Sequence, residues 1–96
     1  MRLVTHQTGP EGRIVGRVLV VCHGNIYRSA FAGAYLASRF AGAIAVRSGG
    51  FHAVAGRPAP ERHVVLSRRL GVDLSMHRSS LIGPGDLAWA DLILIM

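Results

Sequence analysis

The single cysteine of the chain, Cys22, lies six residues before Arg28, and residues 21–29 read VCHGNIYRS. A thiolate is the nucleophilic form of cysteine, and helix N-termini or arginines can lower its pKa from about 8.5 to roughly 3.5–7.5. A guanidinium presents a planar fork of donors that matches two oxygens of a phosphoryl group. This Cys-x5-Arg spacing therefore predicts nucleophilic attack on a bound tetrahedral oxyanion.

The loop that follows Cys22 is suited to surround such an anion. Cys22 ends the apolar run 18–22 and a helical pattern begins near Ser29, so the loop lies where open α/β sheets bind ligands. Backbone N–H groups and the helix N-terminus can converge there on the oxygens. Gly24 permits close approach or a positive φ, and Asn25 tolerates the left-handed region. The predicted phosphate-binding residues are His23, Gly24, Asn25, Ile26, Tyr27 and Arg28.

Apolar segments and helical patterns alternate along the chain. Strands are predicted at 13–22, 43–48 and 90–96, and a near-continuous apolar run is typical of a parallel strand that is covered on both faces. Helices are predicted at 29–41 and between Pro60 and Gly71. The alternation indicates parallel crossovers in a small α/β sheet with helices on both faces.

Helical spacing also predicts which side chains reach the core. Leu66 and Leu70 mark the apolar side of the second helix, and Trp89 is a core residue or a partly exposed anchor. The stripe of the first helix comprises Phe31, Ala34, Tyr35 and Ser38, with Leu36 and Phe40 beside it.

Composition bounds the class of protein. The 96 residues include 11 arginines, no lysine and 5 acids, for a net charge of +6. This surface favours anionic partners, although a general preference for arginine explains many of these positions as well. The arginines are scattered and only 6% of residues are aromatic, so nucleic-acid binding is not predicted.

One domain is predicted at 13–96, preceded by a flexible leader at 1–12 that contains a Gly-Pro turn signal. No signal peptide or membrane-spanning run is visible, and one cysteine excludes an internal disulfide, so a cytoplasmic location is expected. No cofactor or metal is expected, because His6, His52 and His63 lack ligand-like spacing.

The segment VCHGNIYRS resembles the active-site loop V-C-x-G-N-I-C-R-S of the low-molecular-weight protein-tyrosine phosphatase family, in particular its bacterial branch. The resemblance implies a three-layer, flavodoxin-like parallel sheet with strand order 2-1-3, from which the family's fourth strand and final helix are missing. It covers nearly the whole chain from residue 16 onward and continues through 48–50, 52–58, 70–73, 77–78 and 90–96.

The resemblance implies a two-step hydrolysis of a phosphotyrosine protein or a small aryl phosphate, with inorganic phosphate as product. Cys22 attacks the phosphorus to form a cysteinyl-phosphate, which water cleaves, while Arg28 binds the phosphoryl group and stabilises its transition state. Ser29 assists the thiolate as a leaving group, and Asn25 holds the loop in shape. Ser48 and His77 correspond to outer members of this network, and His23 and Val54 to the pocket wall.

The chain departs from the family pattern at two important places. Tyr27 stands where many members carry a second cysteine, so a protective disulfide with Cys22 cannot form. The family's general acid, in an Asp-Pro loop, has no counterpart, because neither Asp86 nor Asp91 is in such a motif. Loss of a general acid typically costs 10²–10⁴-fold, so weak activity is expected. The last strand is expected to have an exposed edge through which copies could associate.

Several alternatives remain open. Cys22 could be a buried strand residue, Ser48 the end of a strand and His77 an ordinary loop histidine. The chain could bind phosphate or phosphoproteins without turnover. It could also be an arsenate reductase on the same fold, which would need an external thiol because Cys22 has no cysteine partner.

Overall fold

The computed structural model describes residues 2–5 and 16–96, and for residues 2–5 it describes the backbone alone. Four strands form one sheet, and three helices pack beside them. In chain order the elements are β1 (Arg2–Thr5), β2 (Arg17–Cys22), α1 (Arg28–Arg39), β3 (Ala45–Gly50), α2 (Glu61–Arg69), α3 (Pro84–Trp89) and β4 (Leu92–Ile95).

The sheet has the order β1-β4-β2-β3. Strand β2 is parallel to both β3 and β4, whereas β1 is antiparallel to β4. The three predicted strands therefore lie in the order 2-1-3, which confirms the flavodoxin-like α/β prediction for the parallel part of the sheet.

Strand β2 lies at the centre because its apolar residues can be buried on both faces. Residues 18–21 are between 0% and 4% exposed. On one face, Leu19 and Val21 pack with Ala90 and Ile93. Beside α1, a second cluster comprises Ala30, Ala59, Val72 and Leu74.

The predicted element boundaries are shifted by one to two residues at most ends, and two differences concern the assignment itself. Gly49 and Gly50, predicted to stop the second strand, are its last two residues. Helix α3 was predicted as loop, but Pro84 occupies its start and the carboxylate of Asp86 accepts a hydrogen bond from the N–H of Gly83 over 3.0 Å. Proline at the first helical position and an acid in the first turn both favour a helix start.

The predicted apolar side of the second helix was wrong. Leu66 and Leu70 are 47% and 66% exposed, whereas Ser67 is 1% exposed. The buried side of α2 instead includes Val64, which packs against the cluster beside α1. In α1, Phe31 packs against that cluster, but Tyr35 and Phe40 are 45% and 47% exposed rather than core.

Strand β1 covers the edge of β4, with Arg2 opposite Ile95 and Thr5 opposite Leu92. Over residues 2–5 the structure thus differs from the predicted flexible leader, while residues 1 and 6–12 of that leader lie outside the described residues. The predicted self-association through an exposed edge of the last strand loses its basis, because the backbone of β4 already pairs with β1.

Asp91 fixes the start of the two central parallel strands. Its carboxylate accepts hydrogen bonds from the N–H groups of Gly16 and Arg17, each over 2.9 Å, and it forms an ion pair with the Arg17 guanidinium. The N–H of Gly16 and then the Arg17 side chain hold the pKa of this carboxyl below its ordinary value. No helix in the described part of the chain has the length and apolar character needed to cross a bilayer.

Candidate active site

The loop between β2 and α1 encloses a pocket at the carboxyl end of the central strand. Cys22 is the last residue of β2 and Arg28 is the first of α1, so the loop itself spans residues 23–27. The pocket has a volume of about 410 Å³ and is lined by all seven residues from Cys22 to Arg28. The structure therefore brings every predicted phosphate-binding residue to one cavity.

Asn25 determines the shape of this loop. Its φ of 55° lies in the left-handed region, which asparagine tolerates better than most residues. Its side chain is fully buried. The Nδ2 group donates to Ser29 Oγ over 2.7 Å and to Ser48 Oγ over 3.0 Å, and Oδ1 accepts from the N–H of Ser80 over 2.8 Å. One amide thus ties the loop to the start of α1 and to two segments distant in sequence, those of Ser48 and Ser80.

The sulfur of Cys22 lies at the bottom of the pocket among donors. The Ser29 hydroxyl oxygen is 3.0 Å from it, and the N–H of Asn25 donates to it over 3.3 Å. Burial raises the pKa of the Cys22 thiol, but hydrogen bonds from the Ser29 hydroxyl and from the N–H groups of Ser29, Asn25 and Gly24 outweigh burial and lower the pKa below its ordinary value. The site therefore favours a thiolate.

The origin of this lowered pKa differs in part from the prediction. The sequence predicts that the helix N-terminus and the Arg28 guanidinium lower it; in the structure the Ser29 hydroxyl contributes together with an N–H of the first helical turn, that of Ser29, and two loop amides, whereas Arg28 is not among the causes. Arg28 is exposed at the rim of the pocket. From there its planar guanidinium can bind the oxygens of an incoming anion.

Backbone N–H groups of the loop are available to an anion. Within the described residues, the N–H groups of His23, Ile26 and Tyr27 donate to no backbone carbonyl, while that of Gly24 is directed at the Cys22 sulfur. Such converging groups form concave anion-binding sites. Gly24 does not adopt a positive φ, so the turn depends on Asn25 instead.

His77 supports the loop from outside. Its Nε2 atom lies 2.6 Å from the carbonyl oxygen of Asn25, and a carbonyl oxygen only accepts, so the histidine donates. Together with Ser48, His77 thus lies at the outer contacts of the Asn25 network, which is where the resemblance places both residues.

Gly50 is a site residue that sequence reasoning missed. A Cβ atom at this position would lie 2.6 Å from the carbonyl oxygen of His23 and 3.0 Å from the backbone nitrogen of Asn25. Only glycine therefore allows the end of β3 to approach the loop this closely. The signal was present in the pair Gly49-Gly50, which was interpreted as a strand stop.

The two predicted wall residues have different positions. His23 lines the pocket, is exposed, and its ring centroid lies 4.8 Å from that of His52. Val54 is 62% exposed and is not among the residues that line this pocket. Of the two predicted wall residues, His23 therefore lines the pocket and Val54 does not.

The residues that line the pocket include no carboxylate. Asp86 pairs with Arg47 over 3.3 Å, and Asp91 is engaged by the N–H groups of residues 16 and 17. The arrangement can therefore bind an oxyanion and present a thiolate to it, but within residues 16–96 no acid side chain lines the pocket to protonate a leaving group.

Comparison with known proteins agrees with this geometry. Residues 17–96 match the low molecular weight phosphotyrosine protein phosphatase family. The probable low molecular weight protein-tyrosine-phosphatase EpsP of Ralstonia nicotianae is 39% identical over 83 residues, which are 86% of this chain and 57% of that protein. The chain thus spans little more than half the length of the curated relatives that it matches.

Two solved structures have the same fold. The tyrosine phosphatase AmsI of Erwinia amylovora superposes with a TM-score of 0.82 at 30% identity, over 94% of this chain and 59% of that one. The YwlE arginine phosphatase of Geobacillus stearothermophilus gives 0.78 at 32% identity, over 84% of this chain and 52% of that one.

Proposed function

Because the chain belongs to the low molecular weight phosphotyrosine protein phosphatase family, we propose that its Cys22 pocket hydrolyses phosphotyrosine monoesters through a cysteinyl-phosphate. The observation that carries this proposal is the set of donors around one sulfur, which lowers the pKa of the Cys22 thiol within a pocket formed by an anion-binding loop.

In the first step, the loop N–H groups and the Arg28 guanidinium bind the phosphoryl oxygens. The Cys22 thiolate attacks phosphorus, so that an S–P bond forms while the P–O bond to the tyrosine oxygen breaks. The departing oxygen takes a proton from water, since the residues lining the pocket include no carboxylate. Charge that develops on the phosphoryl oxygens is stabilised by the fixed donors around them.

In the second step, water attacks phosphorus and the S–P bond breaks, which releases inorganic phosphate and restores the thiolate. The Ser29 hydroxyl, 3.0 Å from the sulfur, donates to the thiolate as it leaves. The same contact therefore activates Cys22 as a nucleophile in the first step and stabilises it as a leaving group in the second.

The test is to mix the chain with p-nitrophenyl phosphate and to follow both p-nitrophenol release and the mass of the protein after acid quenching. The expected result is a burst of p-nitrophenol together with a protein species heavier by one phosphoryl group on Cys22. The Cys22→Ser variant should show no turnover. Turnover that survives this substitution would contradict the proposal. Peptides that carry phosphotyrosine or phosphoarginine are compared in the same assay. The comparison shows whether the site prefers to cleave the P–O bond of the first or the P–N bond of the second.

A second candidate function is oxyanion or phosphoprotein binding without turnover. It is favoured by the same lining of the pocket, which has anion donors but no carboxylate. Phosphate or vanadate affinity without any burst of p-nitrophenol would support this function instead.

A further inference from the structure

A second, larger groove lies next to the Cys22 pocket. It has a volume of about 580 Å³ and is lined by residues 57–61, by Val64 and Arg68 of α2, and by Ser75 and Arg78. Ile26 of the active-site loop lines this groove and also the Cys22 pocket. The two cavities are therefore neighbours that share one side chain as a wall, and an extended peptide can reach from one to the other.

The groove carries an excess of positive charge. Arg57, Arg68 and Arg78 line it, against the single carboxylate of Glu61. Within residues 16–96 the ion pairs are those of Arg17 and Arg47, so no carboxylate of this range lies within ion-pair distance of the three groove arginines.

The carboxylate of Asp73, near the groove, offsets part of the positive charge of Arg68. Hydrogen bonds from Ser75 are the main reason why the pKa of the Asp73 carboxyl lies below its ordinary value, and the charge of Arg68 contributes less. The carboxylate of Asp73 is already bound by the N–H of Ser75 over 2.9 Å. It therefore weakens the field of one arginine without neutralising the groove.

The backbone that carries two of these arginines is fixed. The N–H of Arg57 donates to the Ser79 hydroxyl over 2.9 Å, and the N–H of Ser79 donates to the Arg57 carbonyl over 2.8 Å. Ser79 is buried and directly follows Arg78. The two arginines thus project from adjacent, hydrogen-bonded segments, and their side chains remain exposed.

We propose that this arginine groove binds a second oxyanion, a carboxylate or a phosphate, of a peptide whose phosphotyrosine occupies the Cys22 pocket. The groove proposal rests on the proposed function, because it adds a preference for acidic peptides to the proposed phosphatase site. The two cavities share Ile26 as a wall, and an extended chain advances about 3.3–3.6 Å per residue, so we expect the second oxyanion close to the phosphotyrosine in sequence. Nucleic acid is a poorer fit, since no aromatic side chain lines the groove for base stacking.

The experiment measures peptide affinity by fluorescence anisotropy with the Cys22→Ser variant, which binds without turnover. Three peptides carry one phosphotyrosine flanked by alanines, by aspartates, or by a second phosphotyrosine. We expect the two acidic peptides to bind about three- to tenfold more tightly than the alanine peptide at low salt. This preference should fall toward unity at high salt, because exposed charges are screened. The aspartate and phosphate arms distinguish the two sources of the oxyanion.

Substitutions locate the effect. Arg57→Ala and Arg68→Ala, each added to Cys22→Ser, should each remove a large part of the preference for acidic peptides, whereas Glu61→Gln should increase it. Arg69→Ala is the matched control, because it removes the same charge from the same helix but Arg69 is not among the residues that line the groove. It should leave the ratio of the affinities unchanged.

The outcomes separate the two proposals. If the alanine peptide binds in a phosphate-dependent way but acidic flanks add nothing, the groove proposal is overturned while the Cys22 site stands. If Arg69→Ala lowers the preference as much as Arg68→Ala does, the effect is one of net charge and the groove is again overturned. If no phosphotyrosine peptide binds, both the phosphatase proposal and the groove proposal fail.

Discussion

The hydroxyl oxygen of Ser29 lies 3.0 Å from the sulfur of Cys22, and the same oxygen accepts a hydrogen bond from Asn25 Nδ2 over 2.7 Å. The amide already donates to that oxygen, so the single serine hydrogen is left for the Cys22 sulfur or for the carbonyl oxygen of Gly49, which lies 3.3 Å away; a thiolate, as the charged acceptor, attracts it more strongly. The side chains of Ser29 and Asn25 are fully buried, so the orientation of the hydroxyl is set by the protein rather than by water.

The first prediction concerns the ionisation of Cys22. Its pKa is lowered, so the thiolate forms at a lower pH than in free cysteine, whose pKa is about 8.5. The rate of alkylation by iodoacetate should therefore reach its plateau at lower pH than for a free thiol, and phosphate should protect the sulfur. In Ser29→Ala the midpoint should move up toward the ordinary value, whereas Ser38→Ala, on the exposed side of the same helix, should not shift it. A midpoint at or above that of free cysteine would contradict the site.

The lowered pKa of Cys22 also makes the stability of the folded protein depend on pH. Because the pKa is lower in the folded state, ionisation of Cys22 adds stability that is fully present above the unfolded pKa and is lost as the pH falls through the folded pKa. The stability of the wild-type chain relative to Cys22→Ala should therefore increase with pH in that interval. Urea unfolding at a series of pH values measures this difference, and a constant difference would contradict it.

The second prediction concerns Asn25. Alanine at φ 55° is strained, and the substitution also removes three hydrogen bonds of the side chain. Asn25→Ala should cost about 2–4 kcal/mol in the free energy of unfolding. Asn25→Gly loses the same hydrogen bonds without the strain, so it should be about 1 kcal/mol less destabilising than alanine. Equal losses in both variants would show that φ at this position carries no strain.

The third prediction concerns Gly50. A methyl group there would lie 2.6 Å from the His23 carbonyl oxygen and 2.9 Å from the Cβ of Ala53, so the loop must shift. Gly50→Ala should cost about 1–3 kcal/mol in stability and should weaken phosphate or vanadate binding. Gly85→Ala is the control, since no atom lies within 4 Å of its added Cβ. Normal anion affinity in Gly50→Ala would show that the end of β3 does not constrain the loop.

The fourth prediction concerns the leaving group. In the part of the chain that the structure describes, no carboxylate lines the Cys22 pocket, so an ester whose leaving group needs no protonation should react much faster than one that does. p-Nitrophenol is a far stronger acid than tyrosine, and a general acid is typically worth 10²–10⁴-fold. We expect p-nitrophenyl phosphate to form the cysteinyl-phosphate about 100-fold faster than phosphotyrosine does. Similar burst rates for the two esters would indicate that a proton donor serves the pocket.

Much of the site could be predicted from consecutive residues. Cys22, Asn25, Arg28 and Ser29 lie in one short segment between a buried run and an amphipathic pattern, so their proximity depends on local geometry alone. The strand order came from the resemblance to the family, whereas the apolar run 18–22 by itself indicated only a strand that is covered on both faces of the sheet.

The buried face of each helix was harder to predict from the sequence. In α2, Leu66 and Leu70 suggested the buried side, yet that side includes Val64 and Ser67. The sequence reveals which face of a helix is buried only when the apolar residues are concentrated on that face. Helix α2 is short, and Leu66 as well as Leu70 just beyond its end are exposed, so the packing partner decides which face is buried.

The sequence by itself determined that a cysteine and an arginine would flank an anion-binding loop at the end of a central strand. Only the tertiary structure decided that Gly50 touches that loop, that the N–H of Ser80 holds Asn25, and that Arg57, Arg68 and Arg78 share one groove. The physical reason is sequence separation. Local patterns encode which elements form, but contacts between distant segments exist only once the packed sheet and helices have fixed where each backbone lies.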